Sequence, residues 1–173
     1  MSADSKAATG AVETHVRDAA IATVYETCMA LNAGRWDDFL RLCDPADFRY
    51  RITNFSPEIK REQCWMDQGF ENLTKLFQLL PKHNSDRAQL TRHATVYRIA
   101  AAPQGFIEVI TQVAIYRTEW DAGDSHLQSG ATSLYVVGKY VDRMRLAGGE
   151  ALLACRTMEL DTRQVGIGSH FIL

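Results

Sequence analysis

From Leu90 to Leu160, apolar and polar side chains alternate with a period of two, broken only by short turns. No other feature constrains the fold as much. A helix cannot sort such a sequence onto one face, whereas a pleated strand does so at every residue. The alternation predicts four long strands, at residues 90–101, 105–120, 129–146 and 151–160. The clusters Asp121-Ala122-Gly123-Asp124 and Ala147-Gly148-Gly149-Glu150 supply turns between them. Long consecutive strands on short turns form an antiparallel meander. Gly138 interrupts the third strand, where a bulge or bend fits.

The first half has a different period. Val16, Ala20, Val24, Thr27 and Leu31 recur at helical spacing, with Arg17, Asp18 and Glu26 off the stripe. This predicts a helix over residues 11–33, stopped at Asn32-Ala33-Gly34. Asp37 can cap a short second helix containing Phe39, Leu40 and Leu42, which Pro45 ends. Residues 48–53 alternate strictly and read as a strand, interrupted by Ser56-Pro57. A third helix fits residues 68–80, with Phe70, Leu73, Leu76, Phe77 and Leu80 on one face and Pro81 as its stop. A polar loop, 82–87, leads into the long strands. Helices followed by consecutive strands is the α+β pattern. Three helices packed on a strongly curved antiparallel sheet make a cone with an internal cavity.

Residues 1–10 are Ala/Ser-rich and read as a disordered tail, leaving 11–173 as one domain. A chain of 173 residues buries roughly 70% of its unfolded surface, so its core needs no disulfide staples. Cys28, Cys43, Cys64 and Cys155 form no C-x-x-C pair and sit in apolar or amphipathic stretches, as reduced cysteines do. The net charge of −2 exerts no general pull on nucleic acid or anionic lipid. The N-terminus lacks the apolar run of a signal peptide, and no stretch is apolar for long enough to span a bilayer. The expected location is cytoplasmic.

Specific motifs add a resemblance. The run from Leu31 to Leu40 (Leu-Asn-Ala-Gly-Arg-Trp-Asp-Asp-Phe-Leu), followed by Asp44 and a strand at Phe48, resembles the opening of nuclear-transport-factor-2-like, cystatin-like cone domains. That opening carries only the fold. Leu90-Thr91-Arg92-His93, Gly138-Lys139-Tyr140-Val141-Asp142-Arg143-Met144-Arg145 and Cys155-Arg156-Thr157-Met158-Glu159-Leu160-Asp161 lie in order before an apolar end, His170-Phe171-Ile172-Leu173. Together, over residues 16–173, they resemble the small (beta) subunit of Rieske-type aromatic-ring-hydroxylating oxygenases. Pro57-Glu58-Ile59-Lys60-Arg61 and Leu79-Leu80-Pro81-Lys82-His83-Asn84 are similar to the methanesulfonate monooxygenase branch.

The resemblance implies a mainly structural subunit. It implies a large (alpha) partner that carries a Rieske [2Fe–2S] cluster and a mononuclear iron, electrons from NAD(P)H, and an α3β3 hexamer with the small subunits as a trimer. The reaction it implies is O₂-dependent hydroxylation of an aromatic or small sulfonated substrate.

The residues of this chain agree with chemistry placed elsewhere. A Rieske centre takes two Cys and two His in closely spaced pairs, and no Cys here has a His within four residues. His15, His83, His93, His126 and His170 contain no i, i+3 or i+4 pair of the kind that builds a facial iron site. No cofactor or metal site is expected in this chain. A competing possibility is a free-standing cone-domain dehydratase, isomerase or binder, acting through Tyr50, His93, Asp38 and Asp44. Each of the four has a structural alternative: Asp38 and Asp44 flank a short helix, Tyr50 suits a core with its hydroxyl satisfied, and His93 suits an interface. Arg92, Arg98, Arg117, Lys139, Arg143, Arg145 and Arg156 all fall on long strands beside Tyr97, Tyr116, Trp120 and Tyr140. Arginine beside aromatics is the composition of a protein interface. Arg92, Tyr97, Arg98, Tyr116, Arg117, Lys139, Tyr140, Arg143 and Phe171 are therefore the expected subunit contacts.

Overall fold

The structure is a computed structural model that describes residues 12–83, 88–120, 130–165 and 172–173, with backbone only at 82 and 83. The expected tail at 1–10, the loop at 84–87, the turn at 121–124 and Phe171 lie outside the described residues. In chain order the elements are α1 (Thr14–Asn32), α2 (Trp36–Arg41), β1 (Arg49–Ser56), β2 (Arg61–Gly69), α3 (Phe70–His83), β3 (Gln89–Ala101), β4 (Ile107–Thr118), β5 (Thr132–Ala147) and β6 (Glu150–Leu160). Three helices cover the inner face of one curved sheet with strand order β2-β1-β6-β5-β4-β3. No helix among the described residues is long and apolar enough to cross a membrane.

The meander β3–β4–β5–β6 is antiparallel throughout. β1 then joins β6 in parallel, Tyr50 beside Arg156 and Ile52 beside Met158. The first half of the chain thereby extends the sheet built by the second. The inner face is apolar: Val109, Val113, Ile115, Val136, Met144, Leu153 and Met158 are fully buried. α1 lays Ala20, Val24, Thr27 and Leu31 against it. Phe39 of α2 meets Phe48, Tyr50 and Phe77 edge-on, and Trp36 stacks on Phe77 at 4.8 Å.

Two local expectations need correction, and one strand, β2, was not expected. β2 has no apolar alternation because it is an edge strand whose first five residues are exposed on both faces. Pro81 lies inside the last turn of α3 rather than stopping it, because only one late hydrogen bond is lost there. Gly138 is not a bulge. The register shifts of the meander fall at Tyr97, Tyr135 and Ala154, and that of the β1–β2 pair at Trp65. At Gly138 the backbone of β6 comes so close that a Cβ would lie 2.3 Å from the Glu159 carbonyl oxygen and 3.0 Å from Leu160 Cα. Backbone cannot swing aside as a side-chain end can. Gly138→Ala should therefore cost about 1–3 kcal/mol, seen as a lowered midpoint in thermal or urea unfolding. An unchanged midpoint would show that β6 can move away.

The β1–β2 hairpin is tied to the chain beyond β6. Arg163 donates to Glu58 at 2.6 Å and Ser56 donates to it at 2.9 Å. Chiefly through Arg163, then through its own backbone amide and Ser56, the Glu58 carboxyl is held at about 2. The link is exposed and stabilises only weakly. A carboxyl depressed by folding stabilises above its ordinary pKa of 4.5 and loses that contribution as the pH falls toward 2. An NMR titration of Glu58 should give a midpoint near 2 that rises toward 4.5 in Arg163→Gln.

Candidate functional site

The four side chains of the cone-enzyme possibility do not converge. Tyr50 points from β1 into the cone, is fully buried, and donates its hydroxyl to the main-chain oxygen of Leu173. Burial pushes its phenol well above the usual range. His93 is on the opposite face of the sheet. Its neighbours on β3 and β4 alternate with the buried Arg92, Val113 and Ile115, and its ring meets Tyr116 edge-on at 5.1 Å. Asp38 lies on α2, 3.2 Å from Arg35, and also pairs with Arg41. Asp44 accepts from the Ala46 amide at 3.1 Å and sits 3.3 Å from Arg145. A pocket of about 500 Å³ between α2 and α3 contains Asp38 but neither Tyr50 nor His93. A positioned base and an oxyanion donor are not brought together.

The interior holds a different polar cluster. Arg156 and Asp142 face each other across β6 and β5, both fully buried, joined by two parallel hydrogen bonds of 2.8 and 2.7 Å. The Arg156 guanidinium lies over the Tyr140 ring, 4.1 Å from its centre. Burial alone would lower the Arg156 pKa. The charge and hydrogen bonds of Asp142 more than offset this, so the group is held charged above its ordinary value. Cys28, packed above from α1, has its thiol raised by burial against the pull of Arg156 and Arg92. Arg92 is also inside. Its backbone and Nη1 donate to Asn32 Oδ1 at 3.0 and 3.1 Å, and Nη2 donates to the Ile172 carbonyl. All four cysteines are free. Among the described residues no three His, Cys, Asp or Glu side chains are placed to hold a metal ion.

Arg92 and Tyr140 must therefore be removed from the expected outer contacts: they are 7% and 0% exposed. Arg156, read with the same strand cations, is inside as well. The sequence clue to the pair was available. Asp142 and Arg156 both occupy positions in step with apolar neighbours, where opposite charges satisfy one another. Other expected contacts do face outward. Arg98 pairs with Glu108, and Lys139 pairs with Glu159 at 2.9 Å. Arg143 lies over the Phe106 ring at 4.3 Å. Arg117 is half-buried and pairs with Glu119. Tyr116 lies opposite Leu134, itself exposed, and Tyr97 is 69% exposed at its bulge.

No family model matches the sequence. Over 159 residues, 90% of this chain and 87% of the relative, it is 35% identical to the hydroxylase beta subunit of methanesulfonate monooxygenase from Methylosulfonomonas methylovora. The chain belongs to the oxygenase beta subunits. A second beta subunit, that of 2-aminobenzenesulfonate 2,3-dioxygenase from an Alcaligenes species, is 34% identical over 147 residues, 85% of this chain and 92% of that one. The fold extends further than the sequence. The beta subunit of benzoate 1,2-dioxygenase from Burkholderia mallei matches with a TM-score of 0.64 at 12% identity, over 94% of this chain and 99% of that one. The oxygenase beta subunit described here has the helix-capped cone expected from its motifs, and it is the non-catalytic part of such an enzyme.

Proposed function

We propose that this beta subunit is a scaffold that holds iron-bearing large subunits in an α3β3 assembly in the cytoplasm. The large subunit would contain the Rieske [2Fe–2S] cluster and the mononuclear iron, fed from NAD(P)H, and would hydroxylate a sulfonated or aromatic substrate with O₂. The observation that carries this reading is the kinship, over 90% and 85% of the chain, to two beta subunits, both from enzymes named for sulfonates.

The outer face of β3, β4 and β5 is the proposed contact between small subunits. Its apolar members are Tyr97, Tyr116 and Leu134. His93, Arg98, Lys139 and Arg143 surround them. Arg117 remains a candidate for the edge of that contact.

Co-expressed with a cognate large subunit, the chain should elute as an equimolar complex near the mass of a hexamer, and the complex should hold iron and consume O₂ with substrate. Purified alone, the chain should bind no iron by elemental analysis and should consume no O₂. Stoichiometric iron or turnover in the isolated chain would overturn the proposal.

A further inference from the structure

The helices close the inner face of the sheet, and the outer face of β3, β4 and β5 is the proposed contact between small subunits. One end of the sheet is left over. β2 is the last strand, and among the described residues β1 is its only strand neighbour. Its far edge presents main-chain donors and acceptors that no strand takes up. The opposite end of the sheet is treated differently. There the Arg92 amide of β3 donates to Asn32 Oδ1 at 3.0 Å, so the end of α1 closes the edge.

The hairpin of β1 and β2 is also apolar at its surface. Phe55, Ile59 and Trp65 are 58%, 56% and 43% exposed. Single exposed apolar residues need no explanation, but a group of large ones on one hairpin marks a contact. The hairpin is held in place for it: Arg163 and Ser56 both donate to Glu58 in its turn.

The charges select the partner. The three acids of the hairpin are engaged, Glu58 with Arg163, Glu62 with Arg51 and Asp67 with Arg49. Lys60 and Arg61 lie side by side at the tip, exposed, and meet no acidic side chain among the described residues. A second copy presenting the same hairpin would add cations and no spare acid. A different chain, with carboxylates beside apolar residues, complements both features.

We propose that the β1–β2 hairpin is the docking surface for the large subunit. An extended segment of that subunit runs along the free edge of β2, places carboxylates on Lys60 and Arg61, and covers Phe55, Ile59 and Trp65. Main-chain hydrogen bonds to an edge strand give affinity, and the flanking side chains give selection. The bulge at Trp65 limits the regular edge to Arg61–Cys64, so the added strand is short. β1 and β6 separate this surface from the contact between small subunits, so both can be occupied at once. The inference rests on the reading of the chain as a subunit of an oxygenase assembly.

The test measures binding of the full-length chain to its purified cognate large subunit by surface plasmon resonance, at low and high ionic strength, beside sedimentation of the chain alone. Ile59→Asp should weaken binding at least about ten-fold, because it puts a charge into the apolar part of the contact. Lys60→Glu with Arg61→Glu should also weaken it at least about ten-fold and should flatten its dependence on salt. Lys60→Arg with Arg61→Lys keeps both charges and should bind as the unmodified chain does. All three positions are exposed, so the thermal midpoint and the sedimentation of the chain alone should not change. If Ile59→Asp does not fold, the charge reversal decides alone. Folded variants that bind as tightly as the unmodified chain would overturn this docking surface and leave the assembly standing. So would a charge-reversed chain that keeps the full salt dependence, or one that loses self-association while holding the large subunit, which would make the hairpin a contact between copies. An unmodified chain that holds no large subunit would overturn the assembly reading and this inference together.

Discussion

Replacing Asp142 by alanine should cost about 3–5 kcal/mol of stability, because it leaves the Arg156 guanidinium buried without its counter-charge. Both side chains are fully buried, and Arg156 cannot shed its proton to escape the cost. A domain of ordinary stability has about 5–15 kcal/mol in total, so the variant would stand near the limit of folding. Urea unfolding by far-UV circular dichroism reads the loss directly. The double variant Asp142→Leu with Arg156→Met removes both charges and keeps most of the volume. It should recover most of the loss, since a buried pair is often no better than a well-packed apolar one. Tyr140→Phe is a control that keeps both charges: the ring under Arg156 stays and only the hydroxyl's link to Arg92 is lost, so stability should fall by no more than about 1.5 kcal/mol. Two outcomes would refute this account of the pair: a loss in Asp142→Ala below about 0.5 kcal/mol, the range of surface changes, or a double variant as unstable as the single one.

The same pair shows where reading the sequence stops. β3 to β6 were legible because long alternation has only one structural solution, and α1 was legible from its stripe and from Gly34, whose φ of +63° ends the helix. Alternation separates two faces without saying which one is inside. Arg92 and Arg98 are six residues apart and share a parity, yet Arg92 is interior and Arg98 exterior. The extra residue at Tyr97 reverses the strand between them. Tyr135 and Ala154 do the same to β5 and β6, so Leu134 and Val136 face opposite ways. A single-residue bulge leaves no compositional mark. β2 escaped detection for another reason. An edge strand with one neighbour and two exposed faces has no core to write into its sequence. The parallel pairing of β1 with β6 is a contact between segments a hundred residues apart, and local pattern cannot report it.

Glutamate at Leu134 should leave the fold intact and abolish assembly. Leu134 is 54% exposed in the isolated chain, opposite Tyr116, whose ring is met by His93. Solvent reaches a carboxylate there, so the change in chain stability should stay within about 0.5 kcal/mol. If that face is covered by a second copy, the same carboxylate is buried. Arg117, next to Tyr116 on β4, is already paired with Glu119. Burying an unpaired charge costs several kcal/mol, enough to weaken association at least about a hundred-fold. Sedimentation should then find an unchanged thermal midpoint with smaller species, and O₂ consumption by the reconstituted complex should fall with the loss of assembly. Met29→Glu supplies the comparison. Met29 is equally exposed, at 54%, but lies on α1, across the molecule from the sheet's outer face. It should assemble and turn over like the unmodified chain. The reverse pattern, an intact complex with Leu134→Glu and a dissociated one with Met29→Glu, would move the contact to the helices and leave the aromatic face of the sheet as ordinary solvated surface.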